Sequence, residues 1–110
     1  MNGPRIMAMG VVREVVPSQP GAYVLGKDDN KALYVGRSDS DLKAQLLTHF
    51  QPSVAQGAVV VTRFWFEVAV SPWDAFVVEC SWYHQFAPTH NATHPTRPFG
   101  ALYGCPICGR

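Results

Sequence analysis

Charge is scarce in this chain. Only 15% of its 110 residues are charged, and the formal net charge is +1. Domains that hold a polyanion unaided are commonly clearly basic, so the surface as a whole supplies no such pull. A local basic patch or a partner would have to supply it. Long apolar runs are missing too, and no stretch approaches the ~20 residues of a membrane span. The N-terminal apolar segment, residues 6–12, is broken by Arg13 and Glu14, so a signal peptide is not expected. Cysteine occurs three times, an odd number that argues against a disulfide framework. Cys105 and Cys108 read as thiols of a reducing compartment, which points to the cytoplasm. Internal repeats and low-complexity tracts are absent as well.

Apolar side chains are plentiful at 47%, enough for one core in a chain of one-domain length. Residues 1–20 carry few signals and end in Pro17-Ser18-Gln19-Pro20. They read as a lead-in, with at most a short strand near residues 6–12. Residues 21–25 and 31–36 read as strands on either side of the turn formers Gly26-Lys27-Asp28-Asp29-Asn30, a spacing that predicts an antiparallel hairpin. Ser38-Asp39-Ser40-Asp41 offers helix caps and first-turn acids. A helix to about Phe50 follows, with Leu42, Leu46 and Phe50 four apart on one face and Pro52 to stop it.

Residues 59–70 alternate Phe64, Phe66, Val68 and Val70 against Arg63, Trp65, Glu67 and Ala69, the period of a strand with one core face. Ser71-Pro72-Trp73-Asp74 combines a capping serine, a first-turn proline and an acid three residues after the cap, and so starts a helix that runs to about Phe86 before Pro88. The remainder, with its three prolines in residues 89–110, reads as irregular. The order strand, strand, helix, strand, helix predicts an α/β domain of the α+β kind: a three-stranded antiparallel sheet flanked by helices. The unit that matters spans residues 21–95, with 96–110 as a tail carrying Cys105-Pro106-Ile107-Cys108.

Five polar or aromatic residues stand out by their placement. Tyr23 and Tyr34 lie on the two strands of the hairpin, His49 at the end of the first helix, Glu79 midway along the second, and Asn91 twelve residues beyond. Each alone has a plain reading as packing or solvated surface. Together, Gly21-Ala22-Tyr23 followed by Tyr34-Val35-Gly36, then the histidine, the glutamate and the asparagine in that order, resemble the GIY-YIG nuclease family over roughly residues 21–95.

The resemblance implies metal-assisted hydrolysis of phosphodiester bonds, with DNA as the substrate and RNA as an open alternative. It implies that Glu79 binds one divalent ion, Mg²⁺ or Mn²⁺. Tyr34 would help deprotonate the attacking water. His49 would assist that proton transfer or bind phosphate, Tyr23 would position water or phosphate, and Asn91 would buttress the site. A phenol with a reference pKa of about 10 serves as a base only where a cation lowers it.

One position departs from the pattern. The family's first helix usually carries an arginine one turn before the histidine, and here that place holds Gln45. Glutamine brings a hydrogen bond but no charge, and losing a charged transition-state contact typically costs about 10²–10⁵ in rate. Arg37, directly after the Tyr34-Val35-Gly36 tripeptide, is the nearest substitute, and Arg63 a weaker one.

The tail supplies two thiolates, half of a structural zinc site. Cys80 would add a third thiolate, and His84, His90 or His94 could complete the set if the tail folds back on the second helix. Otherwise Cys105 and Cys108 are simply thiols near a terminus, and Cys80 a small core residue. His84 and His90 also lie close enough in sequence to Glu79 to approach its ion. Trp65, Trp73 and Trp82 could stack on bases or pack in the core.

Three readings follow: an active nuclease, with or without a protein partner that lends specificity; a nucleic-acid-binding module that has lost efficient cleavage; and a zinc-stabilised protein-interaction domain on the same scaffold.

Overall fold

The computed structural model describes residues 1–50, 61–91 and 93–110. Seven elements follow one another: β1 (Asn2–Ile6), α1 (Met9–Val15), β2 (Gly21–Gly26), β3 (Ala32–Ser38), α2 (Leu42–Thr48), β4 (Arg63–Val68) and α3 (Pro72–Phe86). The strands form one antiparallel sheet in the order β1-β4-β2-β3. This is the α+β class expected, with a fourth strand added. β1 pairs with β4 at an outer edge, and its register slips between Asn2 and Arg5, where Pro4 has no N–H to give to the ladder. The stretch expected to be at most a strand near residues 6–12 is instead mostly α1, whose Val12 is fully buried.

The sheet is covered on both faces. On one, Val12 of α1 with Val16, and Leu42 and Leu46 of α2, pack against Tyr23, Leu25, Phe64 and Phe66. On the other, Trp82 and Val78 of α3 pack against Ala22, Val24, Val35 and Trp65. β2 therefore buries all six of its residues, as a central strand covered on both sides must. β4 fulfils the alternation read from its sequence for Phe64 and Phe66, but Trp65 also enters the opposite cluster and Val70 is exposed. Residues 59–60 and Pro52 lie outside the described residues.

Both helix starts behave as their sequences require. Asp41 accepts a bond from the Ala44 N–H and caps α2, which closes at Thr48 with His49 as its last cap. Ser71 accepts from the Asp74 N–H at 3.1 Å with Pro72 in the first turn of α3. α3 ends where Ala87 turns left-handed just before Pro88.

Candidate active site

β3 is an edge strand, and the site wraps around it. The register sets Tyr23 opposite Gly36 and Leu25 opposite Tyr34, so both tyrosines leave the sheet on the α2 face. Arg37, opposite Ala22, leaves on the α3 face. The glycine of Tyr34-Val35-Gly36 is a packing requirement. A Cβ at Gly36 would come within 2.6 Å of the Tyr23 phenol and 2.9 Å of the Tyr34 ring. The phenol of one half of the motif thus lies in the gap left by the glycine of the other.

On the α2 face the Tyr23 hydroxyl lies 2.7 Å from His49 Nε2. The Tyr34 ring is 6.1 Å from that of Tyr23 and 5.6 Å from that of His49, centroid to centroid. These groups are neutral near pH 7. Burial, and then the neighbouring Tyr34, push the Tyr23 phenol well above its usual range, with Gln45 opposing weakly. Burial, and then the Glu79 carboxylate, raise Tyr34 as well. Burial lowers His49.

The α3 face is ionic. Arg37 Nη1 donates to Glu79 Oε1 at 2.7 Å and to the Thr96 carbonyl at 2.6 Å, while its Nε donates to Asp39 at 2.7 Å. Its guanidinium also sits 5.2 Å from the Phe76 ring centroid. Burial alone would make Arg37 easier to deprotonate; Asp39 and Glu79 more than offset it, so the guanidinium stays charged. For Glu79 burial outweighs the arginine, and the carboxyl is less acidic than an ordinary glutamate. Of the two Glu79 carboxylate oxygens, only Oε1 accepts a hydrogen bond from the described residues.

The two faces meet in a polar cavity of about 400 Å³ lined by Tyr23, Tyr34, Arg37, Asp39, Gln45 and Glu79. A second cavity, sharing Tyr34, Glu79 and Thr96, is lined by His90, Asn91 and His94. Asn91 does not line the first cavity. Its amide clamps the outer edge of β3 instead, accepting from the Val35 N–H and donating to the Val35 carbonyl, both at 2.8 Å. The His90 N–H adds a bond to the Leu33 carbonyl, so the free edge of β3 is covered by residues 90–91.

Arg37 and Gln45 line one cavity, whereas Arg63 lies across the sheet and pairs with Asp28 at 3.3 Å. Asp39 and Thr96, both partners of Arg37, are among the lining residues that the sequence did not assign to the site, with Ser38 and Ser40. Asp39 two residues after Arg37 was a signal available for one of them; the carbonyl of Thr96 left none. Of the tryptophans, Trp82 is buried, Trp65 joins the core and Trp73 packs on Phe76, so all three serve packing.

No family model and no curated protein matches the sequence. Solved structures do match. The GIY-YIG N-terminal endonuclease domain of UvrC from Thermotoga maritima, bound to its catalytic magnesium, aligns with TM-score 0.58 at 19% identity, covering 74% of this chain and 97% of that one. Two point mutants of that domain, each bound to the divalent cation, align with the same TM-score at 17% and 18% identity, covering 76% and 74% of this chain and 97% of each. With tyrosines, histidine and glutamate gathered around one edge strand, the chain has the GIY-YIG fold.

Proposed function

We propose that this protein is a divalent-metal-dependent endonuclease that hydrolyses phosphodiester bonds of DNA. One observation carries the reading. Tyr23, Tyr34 and Glu79, separated by up to 56 residues, line a single polar cavity with Arg37, and His49 is hydrogen-bonded to Tyr23 at its back. The catalytic unit spans residues 21–95, with residues 1–20 completing its sheet and 96–110 closing one side.

The donors suit a hard ion. Two carboxylates, Glu79 and Asp39, line the cavity, and one oxygen of Glu79 accepts no bond from the described residues. Glu79 would hold Mg²⁺ or Mn²⁺, with water filling the other positions. When bound, the ion would polarise the phosphoryl oxygen and lower the pKa of nearby hydroxyl groups. The side chains do the rest. Tyr34 takes the proton of the attacking water once positive charge offsets its burial. Tyr23, tied to His49, holds the second phenol in place, and His49 is the group in this cluster best able to accept a proton near neutral pH. Arg37 supplies the positive charge that Gln45 lacks, from the opposite wall of the same cavity. Asn91 fixes the backbone between Tyr34 and Gly36.

Cleavage of plasmid and branched DNA with Mg²⁺ or Mn²⁺ tests this, beside Glu79→Ala and Gln45→Arg. Cutting by the parent should fall by about 10³-fold or more in Glu79→Ala, since the loss removes the ion as well as a charge. Cutting unchanged in that variant would refute the metal assignment.

A second reading rests on the Arg37–Glu79 ion pair. The pair occupies the carboxylate that the ion needs, which would suit a weak nuclease that chiefly binds nucleic acid. Cutting by Gln45→Arg alone would establish it. Among the described residues no helix is long and apolar enough to cross a membrane, and all three cysteines are free thiols. The cytoplasm is the compartment these thiols suit best.

A further inference from the structure

We infer that the C-terminal tail carries a second metal centre: a closed, structural Cys2His2 zinc site made by His84, His94, Cys105 and Cys108. The four ligand atoms lie within 4.8 Å of one another. They come from three separate segments: the last turn of α3, the chain after Pro88, and the tail. His84 and Cys108 are exposed and His94 half-buried, so apolar packing gives these polar groups little reason to converge.

The spacings fit one tetrahedral ion. Bonds of about 2.0–2.1 Å to nitrogen and about 2.3 Å to sulfur separate two nitrogens by roughly 3.3–3.4 Å and a nitrogen from a sulfur by roughly 3.6 Å. His84 Nε2 and His94 Nε2 lie 3.3 Å apart, and His94 Nε2 and Cys108 Sγ 3.2 Å. His94 is also held in the required tautomer. Its Nδ1 lies 2.8 Å from the Pro95 carbonyl, which can only accept, so Nδ1 carries the proton and Nε2 presents its lone pair to the cluster.

The cysteine loop has the shape of a metal knuckle. The Ile107 N–H points at Cys105 Sγ at 3.4 Å, and the Gly109 N–H returns to the Cys105 carbonyl at 2.8 Å. Gly109 turns left-handed at φ 84°. Arg97 then bonds the carbonyls of Gly109 and Arg110 at 3.0 Å and closes the loop from outside.

The ligand set differs from the one expected from sequence. Cys80 lies beneath Cys105, fully buried against Phe76, and falls outside the cluster of four ligand atoms. His90 falls outside it as well. Four protein ligands leave no open position, so the ion is structural, and two thiolates with two imidazoles in a tetrahedron select zinc. Its place gives it a task. Residues 94–96 run from a zinc ligand to the carbonyl that holds Arg37, so the ion would pin one wall of the polar cavity. The inference does not depend on the nuclease reading.

The test is zinc itself. The full chain, purified under reducing conditions, should carry one zinc per chain by elemental analysis and native mass spectrometry. Replacing zinc with Co²⁺ should give the visible bands of a tetrahedral ion together with thiolate charge-transfer absorption. Cys108→Ser and His94→Ala should each lose the stoichiometric zinc, while His90→Ala keeps it. A folded chain that neither retains zinc nor binds it when added would overturn the site. So would a cobalt spectrum without thiolate bands, a result that does not depend on whether any variant folds.

Discussion

Glu79 and His84 lie five residues apart on one helix, yet α3 carries them into opposite surroundings. Glu79 sits mid-helix, buried, facing the sheet edge through an arginine. His84 sits in the last turn, exposed, facing a tail that returns to it. The first environment offers a hard oxygen with room beside it; the second offers a full set of softer donors. An open site can exchange water and substrate, whereas a closed one only cross-links chain segments. One helix would thus anchor a centre for chemistry and a centre for architecture, and the contrast can be broken from either side.

The largest effect is expected from separating them outright. Glu79→Ala should abolish cutting and leave one zinc per chain, and Cys108→Ser should remove the zinc. If both variants lose both properties, the two regions are not independent and the contrast fails. Next in size is Tyr34→Phe, which should lower the cutting rate about 10²–10⁴-fold if this phenol carries the proton. A rate within a factor of two of the parent would move that role elsewhere.

Asn91→Ala should act on stability more than on chemistry. It strips two bonds from the edge of β3 and should lower the unfolding free energy by about 1–3 kcal/mol, read from urea unfolding. An unchanged midpoint would mean that water replaces the clamp without cost.

The smallest effect concerns pH. Burial lowers His49 below its ordinary 6.5, so the unfolded chain binds that proton more tightly than the native one. No penalty applies above that ordinary value. Stability is lost as pH falls from there through the lowered native value. Replacing His49 with Gln should flatten the curve in that window, and parallel slopes for parent and variant would show that the imidazole is not the titrating group.

The hairpin, both helix starts and the strand around Phe64 and Phe66 were legible because each rests on local rules: alternation, capping and turn chemistry. β1 was not, since a proline inside five residues reads as a break and only the pairing with β4 makes it a strand. α1 was missed for a related reason. Seven residues without a side-chain cap bond give a weak local signal, and the helix is held by Val12 in the core. The proposed zinc ligands were half legible. Cys105 and Cys108 declare themselves by spacing, but choosing His84 and His94 over Cys80 and His90 depends on how the tail returns.

The sequence by itself therefore determined the hairpin, α2, α3 and the centre of β4, because alternation, capping and turn chemistry depend on neighbours a few residues away, and it also displayed the paired tyrosine motifs and the uncharged Gln45. Only the tertiary structure decided that Arg37 meets Glu79, that Gly36 makes room for the Tyr23 phenol, and that Asn91 holds the edge of β3. These contacts join residues 13 to 56 positions apart, and sheet register and helix packing, rather than local preference, set which side chains meet across such distances.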